Sequence, residues 1–216
     1  MNNELHTARR SLANVLNDSA PLTSADYQII GRFVQAYCVA DFEARMAINA
    51  LAHTHTGTPT DYALRLNDKD TIDHLQLRAE EWEGEPEVRE GILMVVEILR
   101  GHRHLRHMFA HWAGRRVPKH DAYVFFTASL GSQKIDEDAD FFERNENANM
   151  QYGLIPIKKL VEELEKLEGH VQYLTNIGRQ IAAQAEAIAQ HFAQGRSERG
   201  VAPRTMSKSQ INSDSA

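Results

Sequence analysis

The sequence predicts a mainly α protein, a helical bundle with a long C-terminal helix and a small irregular or β insertion near 121–156. Three observations lead there. Three segments between Thr23 and Trp112 carry apolar residues at steps of three and four behind helix-start signals. A fourth such segment begins at Ile157 and keeps one apolar seam for about 36 residues, roughly 54 Å of helix. Only the stretch between the third and fourth is rich in β-formers.

The elements follow in order. Thr23-Ser-Ala-Asp offers side-chain acceptors to the orphan amides of a helix start, and Ile30, Phe33, Tyr37, Ala40, Ala44, Ile48 and Leu51 then repeat at helical spacing. Gly57 and Pro59 end this first helix somewhere between His53 and Pro59, which leaves His53 and His55 as loop residues. Asn67 or Asp68 caps a second helix through Ile72, Leu75, Ala79 and Trp82, and Gly84 stops it. Pro86 suits the first turn of a third, which presents Val88, Ile92, Val95, Leu99 and Leu105 on one side and runs to about Trp112, before Gly114 and Pro118. Ala122-Tyr-Val-Phe-Phe-Thr reads as a short strand, and the acidic run with Asp136, Glu137, Asp138 and Asp140 as a solvated insertion. The last helix presents Leu160, Leu164, Leu167, Val171, Leu174, Ile181, Ile188 and Phe192, with Gly178 and Ala185 on the same seam. It lies either on its own bundle or across a subunit interface. Residues 1–22 read as an N-terminal extension, 23–194 as the domain and 195–216 as a disordered tail.

Composition narrows the class. A length of 216 residues fits one domain with appendages, and the single cysteine, Cys38, excludes an internal disulfide. No signal-peptide core and no membrane span is visible, so a cytoplasmic protein is expected. The net charge of −6 argues against a general nucleic-acid or membrane binder. Its distribution says more. From Ile98 to His120 there are Arg100, Arg103, Arg106, Arg115, Arg116 and Lys119 and no Asp or Glu, a local charge of +6 against −12 for the rest. His102, His104, His107, His111 and His120 lie in the same segment. Arginine forks grip phosphate oxygens and histidine exchanges protons near neutral pH, so the segment has the composition of a small phosphate-binding surface. The plainer reading is a solvated helix end whose cations favour the negative pole of the helix dipole.

Helical phase separates the two readings. Ile92, Leu99 and Arg106 are successive seven-residue steps, so an unbroken helix aims Arg106 along the apolar stripe. A charge placed there must be paired or must line a cleft, and Glu43 on the first helix is the carboxylate expected to face it.

The string Leu105-Arg106-His107-Met108-Phe109-Ala110-His111-Trp112 resembles the signature of the HEPN superfamily, in which an Arg and the polar residue after it are followed by a His. Three Arg–His pairs in the chain have a permitted spacing. Arg115–His120 is split by Pro118, Arg100–His107 has Gly101 in the polar position, and only Arg106–His111 has a polar follower at the end of the third helix. The order of elements, with Phe42-Glu43 on the first helix, also resembles small bacterial HEPN-like proteins; His107 stands where those usually have Asn.

The resemblance implies an all-helical homodimer with two motif helices facing each other, and metal-independent endoribonuclease activity without a cofactor, in a toxin or phage-defence setting. RNA supplies its own nucleophile, the 2′-hydroxyl. His111 would then serve as general acid or base and Arg106 would stabilise charge on the phosphoryl oxygens. His107 would orient the pair or contact RNA, while Arg100, Arg103, Arg115, Arg116 and Lys119 would position the backbone. Five residues apart on a helix, Arg106 and His111 diverge by about 140°, which a site shared by two subunits resolves. RNA and an antitoxin or regulatory protein are the expected partners, and a membrane is not.

Three alternatives stand beside it. A non-catalytic HEPN-like dimer would use the same surface to bind RNA or protein. His104, His107 and His111, spaced by three and four, would present three imidazoles to a zinc or nickel ion. An adaptor dimer would be held by the long last helix, with Trp82, Trp112, Phe125 and Phe126 packed in its core or interface.

Overall fold

The computed structural model describes residues 12–127, 142–145 and 150–198, and it is mainly helical with a long C-terminal helix and a small sheet. The α-helices are α1 (Leu12–Asn17), α2 (Ser24–Thr56), α3 (Asp68–Glu81), α4 (Pro86–His111) and α5 (Ile157–Glu198). The strands are β1 (Ala113–Val117), β2 (Ala122–Thr127), β3 (Phe142–Asn145) and β4 (Met150–Pro156), all antiparallel in the order β1-β2-β4-β3.

Local chemistry sets the helix ends where the sequence places them. Thr23 and Asp26 form a reciprocal capping box at the start of α2, and Gly57 closes its end in the left-handed conformation that glycine adopts without strain. Asn67 caps α3 through the Asp70 amide, and Pro86 occupies the first turn of α4. The apolar residues expected on α2 are buried, as are Ile72, Leu75 and Ala79 of α3 and Ile92, Val95, Leu99 and Leu105 of α4. They meet in one core with Leu160, Leu164, Leu167, Leu174, Ile177 and Ile181 of α5.

Pairings between helices fix their directions. Arg32 reaches Glu168 and Ala47 lies against Gly178, so α2 and α5 run parallel. His102 reaches Glu163 while Gly91 abuts Tyr173, so α4 runs against α5. Arg103 faces Asp68 and Arg100 faces Asp73, so α4 also opposes α3. The C-terminal end of α4 and the N-terminal ends of α2, α3 and α5 therefore share one end of the bundle, where the sheet begins. Tyr123 and Phe125 of β2 face the helices, while Val124 with Tyr152 and Leu154 of β4 faces away and is covered by Val15 of α1.

Three boundaries differ from the sequence reading. Strand pairing starts at Ala113, not near Asp121: Gly114, which looks like loop punctuation, lies inside a strand that ends before Pro118 and pairs fully with β2. The N-terminal extension is folded from Leu12 onward, because Val15 joins the outer sheet core and Ala20 bridges Arg116. The last helix reaches Glu198, past the expected end at 194; its seam is buried to Ala185, and Ile188 beyond it is exposed by 40%. The first helix ends at Thr56, inside the expected range, but His53 and His55 lie on it and not in a loop. Phe125 is core, Trp82 and Trp112 pack against that core, and Phe126 packs against the outer cluster. The acidic run at 136–140 and residues 199–216 lie outside the described residues.

Candidate functional site at the end of α4

Helix α4 does not break before the motif. It is continuous to His111 and ends where the Trp112 amide donates to the Met108 carbonyl. Arg106 is therefore carried inward, half-buried, as its phase with Ile92 and Leu99 requires. Its Nε is shielded from solvent and finds no acceptor among the described residues.

What surrounds it comes from three helices. Tyr37 of α2 is 3% exposed, and burial pushes its hydroxyl pKa up. The carboxylates of Asp68 and Asp41 push it further, while the guanidinium groups of Arg103 and Arg106 oppose them. Four charges, two of each sign, thus converge on one buried phenol. Glu43, two residues beyond Asp41, is half-buried, but the carboxylates brought to Tyr37 together with Arg106 are Asp41 and Asp68. Asp41 is itself gripped by Arg45 at 2.8 and 3.2 Å, and Arg45 also donates to the carbonyls of Ala63 and Leu66, which ties the α2–α3 connection to α2. Asp68 faces Arg103 at 3.3 Å without the alignment of a hydrogen bond from Nε.

His107 and His111, four residues apart, bring their ring centroids within 4.7 Å at an angle of 51°. His107 is half-buried and its pKa is lowered, first by burial and then by His111, Arg103 and Arg106, with Asp68 acting the other way. His111 is exposed, and so is Ala110. Arg103, Arg106, His107 and His111 form one cationic patch at the negative pole of α4. That helix end offers carbonyls and not amides, so its positive charge comes from side chains alone.

The other basic residues of the segment are placed elsewhere. Arg100 pairs with Glu97 at 2.5 Å and with Asp73, and also bonds Gln76. Arg115 donates to the hydroxyl and carbonyl of Ser19 at 2.6 and 3.2 Å. Arg116 bridges Asp26 and Asp121 at 2.7 and 2.9 Å. Lys119 is exposed on the turn between β1 and β2. No group of three or more His, Cys, Asp and Glu among the described residues is arranged to hold a metal ion.

The basic count of residues 98–120 gives no hint of Tyr37, Asp41 and Asp68, because they belong to other helices. Their only sequence signal is position, since Tyr37 and Asp41 are one turn apart and Asp68 opens α3. No protein-family model, no curated protein and no solved structure matches the chain.

Proposed function

We propose that the end of α4 is a phosphodiester site and that the protein is a metal-independent endoribonuclease of HEPN type, acting on RNA as a homodimer. One arrangement carries the reading: a half-buried arginine next to His107, whose ring touches that of His111, with the arginine Nε finding no acceptor among the described residues. In this reading a phosphate oxygen pairs with the Arg106 guanidinium, which stabilises the charge that develops during transfer. The imidazoles supply proton transfer without a metal. A toxin or defence setting, with an antitoxin or regulatory protein as partner, belongs to the same proposal and rests on the motif alone.

The internal pairing of Arg100, Arg103, Arg115 and Arg116 favours a second reading, in which the dimer binds a partner and does not cleave. With those cations paired to the chain's own groups, fewer charges are left to meet an RNA backbone. Incubation with RNA in EDTA separates the two. The ribonuclease leaves 2′,3′-cyclic phosphate ends, and Arg106→Ala and His111→Ala each lower the rate by about 100-fold or more. Intact RNA at every protein concentration supports the non-catalytic dimer.

A further inference from the structure

We propose that His107, and not only His111, transfers a proton in the reaction, with His107 as general base and His111 as general acid of the same chain. The inference rests on the ribonuclease reading above and assigns roles within that site. The pair is formed by one helix: the second position lies four residues after the first, and the rings lie 4.7 Å apart at an angle of 51°. Transfer through a 2′-oxygen needs two such groups, one on each apical oxygen.

The environments divide the work. His107 is half-buried between Arg103 and Arg106 of its own helix, with Asp68 facing it from α3 and Tyr37 and Asp41 behind those arginines on α2. Burial first, then His111 and the two guanidinium groups against one nearby carboxylate, disfavour a positive charge on this ring, which suits it to accept a proton. His111 is exposed in the last turn, open to solvent. In the step itself the 2′-hydroxyl gives its proton to His107 while the 2′-oxygen attacks phosphorus. The bond from phosphorus to the 5′-oxygen breaks, and the 5′-oxygen takes a proton from the His111 imidazolium. Arg106 faces the non-bridging oxygens throughout. Both proton carriers belong to one chain, so a second subunit is not needed to complete the pair.

A leaving-group test assigns the roles. Ordinary RNA is compared with RNA carrying a single bridging 5′-sulfur, whose thiolate departs without a general acid, for wild type, His107→Ala, His107→Gln and His111→Ala, each checked for wild-type thermal melting. His111→Ala should lose about 100-fold on ordinary RNA and recover most of it on the sulfur-bridged substrate, while both His107 variants stay about 100-fold slow on both. Wild-type cleavage with undiminished His107 variants overturns this assignment and leaves the ribonuclease reading standing. Recovery of His107→Ala by the sulfur substrate also overturns it. A wild type inert toward both substrates overturns the ribonuclease reading and the assignment together.

Discussion

Asp26 shows how one residue joins the sheet to the bundle. It is 1% exposed, and its carboxylate accepts from the Thr23 amide and hydroxyl at 2.7 Å, from the Tyr123 hydroxyl at 2.8 Å and from Arg116 at 2.7 Å. Burial pushes its pKa up, but those donors outweigh burial and hold it below the usual range. Asp26→Ala removes the reciprocal half of the capping box, strands the Tyr123 hydroxyl and takes one of the two carboxylates from Arg116, so it should cost about 3 kcal/mol in a urea unfolding experiment. His102 and Glu163 form the comparable link between α4 and α5. Glu163 is pushed up by burial and pulled down to about 2 by Lys159, His102 and Lys166. His102 is 3% exposed, and burial lowers its pKa against the pull of Glu163. Both signs agree. A histidine held neutral and a carboxylate held ionised bind fewer protons folded than unfolded, so stability rises with pH. The melting temperature should fall in two stages, first as pH drops below about 6.5, where unfolded His102 charges, and again below about 4.5, toward the Glu163 value. Glu163→Gln should reduce the second stage and leave the part that Asp26 contributes. Arg106 is the opposite case, a shielded nitrogen without an acceptor among the described residues. Its removal should lower stability by less than about 1 kcal/mol, or raise it, while destroying activity. A loss of several kcal/mol in Arg106→Ala would make it a structural residue.

Between elements, the closest packing is at small residues. Ala47 and Gly178 bring α2 and α5 together, and a Cβ on Gly178 would sit in ordinary contact with Ala47 at 3.9 Å. Gly101 faces open space on α4. Gly101→Ala should therefore raise stability by up to about 1 kcal/mol through helix propensity alone. Gly91→Ala should gain nothing, because its Cβ would displace the Tyr173 ring and break the hydroxyl's bond to the Val88 carbonyl, and thermal melts of the two variants make the comparison. Such features also mark how far the sequence could be read. Helix periodicity and caps are local, so Thr23, Asn67, Pro86 and the apolar positions of α2, α3 and α4 were all legible. Strand β1 was not, because Ala-Gly-Arg-Arg-Val has no alternation of its own and is made a strand by its five pairings with β2. The inward turn of Arg106 was legible from its phase, whereas Tyr37, Asp41 and Asp68 reach it only through the packing of three helices. The arginines of β1 looked like RNA contacts by composition alone, and their acceptors, Ser19 and Asp26, lie about ninety residues away.

At the scale of the whole molecule, a net charge of −6 conceals a basic segment, and the fold spends most of that segment on internal pairs. The cationic patch of Arg103, Arg106, His107 and His111 lies at the bundle end that the sheet adjoins. Ile188 of α5 is exposed beyond the buried Ala185, and no described helix is long and apolar enough to cross a membrane. Association of two copies through their α4 ends predicts a dimer mass in sedimentation equilibrium, and a monomer at all concentrations would remove the facing motif helices from the account. The most direct test of the central claim is to follow the Arg106 Nε–H signal by NMR during titration with a short RNA whose 2′-hydroxyls are methylated and which therefore cannot be cleaved. A saturable shift of that signal, and of the His107 and His111 rings, weakened by added salt, is expected. A titration that leaves Arg106 unmoved while other residues respond would contradict it.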